Sequence, residues 1–282
     1  MRCSVIDLVA PRFPADQVVR ACLKGSTDAQ VAAVVVRNLS AFRNAEAHLA
    51  AALSTSTVHL LLAGYFELPD INNKKLVKEL YESGMVSRVT GREIYDLLIS
   101  RVQGRCPICE LSGAVTLDHY LPKAKFPLLC VAMNNLVPSC FVCNHGKLDS
   151  VAADADKQAL HPYVDSFVNK AQWLHALVDE GFVQFRVATP GSWTQNQARR
   201  VHNHAQNHNL LRRYGEDFAH VVPEAKSLLR EILHAGGPNA VAQDLLKSAR
   251  LVGGDRVNSF RRVGYTALSR DAAFCAGGFE RW

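Results

Sequence analysis

Two Cys-x-x-Cys pairs constrain this chain more than any other feature. They are Cys106-Pro-Ile-Cys109 and Cys140-Phe-Val-Cys143, with 30 residues between them. Each such turn can place two thiolates on one metal, and two turns complete the closed tetrahedral four-sulfur shell of structural zinc. A redox reading fits poorly, because two copies flank one element instead of one copy capping a βαβ unit. The other four cysteines, Cys3, Cys22, Cys130 and Cys275, show no pairing rhythm. That pattern favours zinc in a reducing cytoplasm over a disulfide framework. Zinc binding worth on the order of 10–16 kcal/mol is enough to organise a short, loop-rich segment with little core of its own.

A plain zinc ribbon spends about 15–20 residues between its knuckles. The longer insert here has legible contents. Ala114 to Leu117 is a short β-type run ending at Asp118-His119, and Leu121-Pro122-Lys123 turns the chain. Asn134-Asn135 leads into Leu136-Val137-Pro138, a second short strand. Asn144-His145-Gly146-Lys147 follows Cys143, where a helix can begin. The expected order is strand, loop, strand, helix.

With the four cysteines, Asp118-His119, the central Asn135-Leu136 and Cys143-Asn144-x-x-Lys147, residues 105–150 resemble the HNH endonuclease motif, the ββα-metal finger in its zinc-stabilised four-cysteine form. The resemblance implies a structural Zn²⁺ on Cys106, Cys109, Cys140 and Cys143, and a separate catalytic Mg²⁺ or Mn²⁺ on Asp118 and Asn144. His119 would be the general base, for which an imidazole has a suitable pKa, and oxygen ligands suit the hard cation. The last motif position is often His in the family, so Asn144 leaves the metal preference open. Asn135 would brace the loop that carries the base. Lys147 would reach a phosphate from the helix, and Lys123 or Lys125 from the loop. His145 is off the pattern and is assigned no role. Taken singly, Asp118-His119 is also a common turn pair and Asn144 a common helix cap.

The resemblance further implies hydrolysis of phosphodiester bonds in DNA, with RNA and branched junctions left open as substrates because such chemistry reads the backbone. No recognition helix stands out, so low sequence specificity is expected. The long helical flanks resemble stand-alone bacterial HNH proteins of antiviral defence and mobile elements, where an ATPase is a frequent partner; a homo-oligomer is left open. The rival from another class is a non-catalytic zinc module that binds nucleic acid or a partner protein.

The flanks themselves are less informative. Residues 1–104 read as all-helical: a short helix from Ala15 to Leu23 closed by Gly25, then a capping-box start at Thr27-Asp28-Ala29-Gln30 for a longer helix through residue 53. A helix over Leu76–Tyr81 follows, with Asn72 or Asn73 near its cap. A second capping box at Thr90-Gly91-Arg92-Glu93 opens the last one. No residue there carries recognisable chemistry, and His59 reads as a core or boundary histidine. Residues 151–282 read as mostly helical: a stretch toward Leu160, a break at His161-Pro162, a helix over 164–178, one strand at 182–187, and a helix capped by Thr194 and Gln197. His204 and His208 share a helical face without a third ligand. Arg199, Arg200, Arg212 and Arg213 read as a solvated polar face before a phosphate contact.

The fold class expected is therefore mainly α, with a small embedded ββα-metal module over 105–150 between helical flanks of 1–104 and 151–282. The formal net charge of +6 is mild. It is also spread out, with basic against acidic residues at 12 to 10, 4 to 3 and 16 to 13 in the three regions, so no segment is a basic arm. The N-terminal stretch lacks a signal-peptide core, and the apolar run from Val58 to Tyr65 is too short to span a bilayer.

Overall fold

The computed structural model describes residues 8–9, 13–146 and 151–282. It is mainly helical and contains two small antiparallel sheets, in two compact units: Val5–Asp165, which carries all four paired cysteines, and a second that holds Ser166–Trp282.

In the first unit, α1 (Ala15–Leu23) ends where Gly25 adopts a left-handed φ of 82°, as its position predicts. Helix α2 (Ala29–Arg37) is capped by Asp28, whose carboxylate accepts from Val31 N, and not by Thr27. The longer helix expected from there is interrupted at Asn38, which ends α2 and precedes α3 (Leu39–Thr55). Its side chain turns back to donate to Val34 O at 2.8 Å, an alternative to helix continuation that asparagine offers readily. Helix α4 (Asn73–Val77) is capped by Asn72 and passes without a break into a π-helical segment, Lys78–Met85. Helix α5 (Val89–Ser100) follows with Thr90 inside it. That hydroxyl donates to Ala21 O at 2.6 Å, so the second capping box does not form.

Strands β1 (Thr116–His119) and β2 (Leu136–Ser139) pair antiparallel, with Asp118 opposite Val137 and His119 opposite Leu136. Helix α6 (Phe141–Gly146) comes next. The expected order of strand, loop, strand and helix is present, with the helix starting ahead of Asn144. Every residue of β2 is buried, because the N-terminal helices cover the module. Glu46 of α3 accepts from Met133 N at 3.3 Å, and Phe66 packs edge-on against Phe126 at 5.2 Å.

Residues 151–165 belong to this same unit, unlike the division at 150 expected from sequence. The helix expected toward Leu160 is reduced to one 3₁₀ turn, Ala155–Lys157, and the residues beyond it bond to distant parts of the unit. Tyr120 Oη donates to Ala159 O at 2.7 Å, Val58 N donates to the buried Gln158 side chain at 3.1 Å, and Tyr163 Oη donates to Leu136 O at 2.9 Å.

The second unit replaces the helix expected over 164–178 with a 3₁₀ turn, Ser166–Asn169, and strand β3 (Leu174–Asp179). The expected strand at 182–187 is β4 (Phe182–Val187), and β3 is its partner across the two-residue turn Glu180-Gly181, both with positive φ. That is the hairpin turn whose twist matches paired strands. Helix α7 (Gln195–Asn207) has the full capping box of Thr194 and Gln197. It breaks before α8 (Leu210–Phe218), where Asn209 is left-handed. The remaining helices are α9 (Val221–Gly253), kinked at Gly237 ahead of Pro238, then α10 (Phe260–Arg270) and α11 (Ala272–Cys275). Among the described residues no helix is long and apolar enough to cross a membrane.

Candidate metal centre and the adjoining histidine site

The two cysteine pairs converge. Cys106 and Cys109 precede β1, while Cys140 and Cys143 sit at the junction of β2 and α6, so strand pairing brings the knuckles together. All four are buried, and their sulfurs lie within 4.8 Å of one another. A tetrahedral ion with Zn–S bonds of about 2.3 Å requires S···S edges of about 3.8 Å. Cys109 Sγ and Cys140 Sγ are already 3.8 Å apart. A buried shell of four sulfurs cannot carry four negative charges without a cation, and this group could hold a metal ion such as zinc. Among the described residues no other group of three or more His, Cys, Asp or Glu side chains is placed to do so, and His204 and His208 have no third ligand.

Beside this shell, β1 presents Asp118 and His119 on alternate faces. Asp118 is buried and shares its face with Thr116. Thr116 Oγ1 accepts from Asn144 Nδ2 at 3.1 Å and donates to Ser139 O, so the Asn144 amide is tied to the strand residue that shares its face with Asp118. His119 turns to the other face. Its Nε2 donates to Cys130 O at 2.9 Å, and its ring meets that of Tyr81 at 4.4 Å between centroids, steeply tilted at 70°. Donation from Nε2 to a carbonyl selects the tautomer in which Nδ1 carries the lone pair.

Asn135 is fully buried and clamps the loop between the strands. Its Nδ2 donates to Leu121 O and Leu129 O, both at 3.1 Å, and its Oδ1 accepts from Leu121 N at 2.7 Å. The carbonyl of Cys130 that holds His119 is part of this clamped loop. Asn135→Ala strips three hydrogen bonds and leaves buried groups unpaired. It is expected to destabilise the unit by roughly 2–4 kcal/mol, read as a lower urea midpoint with an unchanged slope.

The basic residues assigned to phosphate fare unevenly. Lys123 forms an ion pair with Glu82 at 3.3 Å and lies over the Tyr81 ring at 4.8 Å, so it is near His119 but already engaged. Lys125 is exposed on the same loop, and Lys147 lies outside the described residues. The four arginines of the second unit do not form one polar face: Arg200 is buried, Arg212 pairs with Glu216, and Arg213 donates to His208 O. The residue that sequence reasoning missed is Tyr81. It sits at the end of an ordinary apolar helical pattern, and nothing local to it signals its contact with His119.

No known family's sequence profile matches the chain, and no solved structure matches it. The chain is 31% identical over 170 residues to Protein ea31 of Escherichia phage lambda. That match covers 56% of this chain and 57% of the relative, so the chain spans little more than half the length of the curated protein it resembles.

Proposed function

We propose that the chain is a metal-dependent HNH-type endonuclease that hydrolyses phosphodiester bonds in DNA. The observation that carries this reading is the hydrogen bond from His119 Nε2 to Cys130 O, which fixes the imidazole with Nδ1 as its basic nitrogen. In-line attack on phosphorus needs the nucleophilic water and the leaving oxygen on opposite sides. Strand alternation supports such an arrangement as part of the proposal: His119 would deprotonate the water from one side, and Asp118 with Asn144 would hold a divalent cation on the other. When bound, Mg²⁺ or Mn²⁺ would neutralise charge on the scissile phosphate and the departing 3′ oxygen. Lys125, and Lys123 if it is released from Glu82, would add positive charge for the backbone. The zinc shell supports the site structurally, since Asn144 directly follows Cys143.

Incubating the purified protein with supercoiled plasmid, a four-way junction and RNA, each with and without Mg²⁺ or Mn²⁺, tests the reading and ranks the substrates. Cation-dependent cleavage of DNA is expected, with no single discrete fragment pattern. Binding without cleavage under every condition would identify a non-catalytic zinc module instead. An ATPase partner and a role in antiviral defence rest on the resemblance of the flanks alone, and a pull-down from the native host that recovers no ATPase removes that part of the proposal.

A further inference from the structure

We propose that Tyr81, supplied by the N-terminal helices, is a positioning residue that locks the His119 imidazole in its Nε2–H tautomer. The idea rests on the nuclease reading for the purpose of that lock, but the lock itself has its own evidence. An imidazole at a strand end turns about two torsions, and the hydrogen bond to Cys130 O acts at the Nε2 end of the ring. The Tyr81 ring packs against the imidazole itself and holds the orientation that this bond needs. It stands 4.4 Å from the imidazole, is itself buried, and is tied by its hydroxyl to Leu117 O on β1 at 3.3 Å. Lys123 closes over the same ring from the loop. The tyrosine therefore spans from the backbone of the strand to the side chain at that strand's end.

The helix around Tyr81 is built to hold this position. The backbone departs from α geometry at this residue: Val86 N donates to Tyr81 O at 2.9 Å, five residues back, and Arg88 N donates to Ser83 O at 3.0 Å. π-Helical turns are rare and recur at functional sites. Its neighbours keep the turn from relaxing. Arg88 forms a largely buried ion pair with Glu79 and donates to Cys22 O at 2.9 Å and to Glu79 O at 3.0 Å. Two glycines permit close backbone approach. A Cβ at Gly84 would sit 2.8 Å from Cys22 O, and one at Gly91 would sit 2.1 Å from Gly84 O. With α1, the π segment and α5 locked together in this way, Tyr81 is presented to His119 by a rigid element.

The test uses zinc-loaded, full-length protein and two readouts. The first is the ¹⁵N spectrum of the His119 ring at a fixed pH where it is neutral, which reports the tautomer whether or not the protein cuts anything. The second is steady-state cleavage of a short duplex with Mg²⁺. Tyr81→Leu is expected to give mixed tautomers and a fall in kcat approaching 10²-fold, the order of magnitude that small misplacements cost, with KM changed by no more than about twofold. Tyr81→Phe keeps the ring and is expected to recover the single tautomer and most of kcat. If Tyr81→Leu fails to fold, judged by zinc content and circular dichroism, Tyr81→Met takes its place. A Leu or Met variant that retains the wild-type tautomer overturns the proposal. Absence of cleavage by the wild type overturns the nuclease reading, while the ring spectra still decide whether Tyr81 holds His119.

Discussion

His119→Ala protein, folded and loaded with Zn²⁺, is expected on the nuclease proposal to cleave plasmid roughly 10²–10⁴-fold more slowly than wild type in Mg²⁺, the usual contribution of a positioned general base. The side chain is partly exposed at the end of β1, and no hydrogen bond holding the sheet together passes through it. Its removal unpairs the buried Cys130 carbonyl and uncovers the Tyr81 ring but breaks no strand pairing. The unit should therefore stay folded, with a urea midpoint lowered by the equivalent of about 1–3 kcal/mol. Full zinc content with a cooperative transition would show that the lost activity is chemical. Asp118→Ala is expected to lose cleavage to a similar degree for a different reason, because the proposed cation loses its charged ligand. The two variants then separate by titration: raising Mn²⁺ should recover part of the Asp118→Ala activity and none of the His119→Ala activity. If both proteins cut as fast as wild type, the nuclease reading is wrong.

Stripping zinc is expected to have the larger structural effect. The four sulfurs join the knuckle ahead of β1 to the knuckle between β2 and α6, and the strands they bracket are four residues each. Zinc binding of about 10–16 kcal/mol is comparable with the whole stability of a typical domain, about 5–15 kcal/mol. A strong chelator should therefore unfold the module and abolish cleavage. Mg²⁺ added in excess should not restore it, because hard cations do not replace zinc on thiolates, whereas stoichiometric Zn²⁺ should. Cys143→Ser should mimic the chelator in part and also displace Asn144, its neighbour. Retention of full activity by the metal-free protein would show that the shell is incidental to the reaction.

The module was legible in the sequence because its signals are local. Paired cysteines, two short β-type runs and a polar helix start keep their meaning whatever surrounds them. The three hydrogen bonds of Asn135 likewise lie within the loop and its edges, a local arrangement. The misses came where a distant partner decided the outcome. Residues 151–160 carry a helical pattern, yet their polar groups are used by Tyr120 and Val58, which no window around them contains. Phe167 and Trp173 fit the apolar face of a helix over 164–178, but Asn258 accepts hydrogen bonds from the backbone nitrogens of Trp173 and Leu174 and fixes the start of a strand. A physical clue was present there, since a strand at 182–187 needs a partner, and Glu180-Gly181 offers the turn to one. Tyr81 had no clue of this kind.

The segment Gln158–Asp165 lies across the module and is the last part of that unit in chain order. His161 Nε2 donates to Asn134 O beside the clamp, and Tyr163 reaches the first residue of β2. A chain leaves the ribosome from its N-terminus and folds as it emerges. Tyr81 would thus be in place before His119 appears, both cysteine knuckles would follow, and the contacts of His161 and Tyr163 would come last. A message broken between codons 147 and 158 would yield a peptide with every proposed reacting group and none of the closing contacts. Such a product is expected to be loose and readily degraded, so that truncated synthesis leaves little folded protein in the cell.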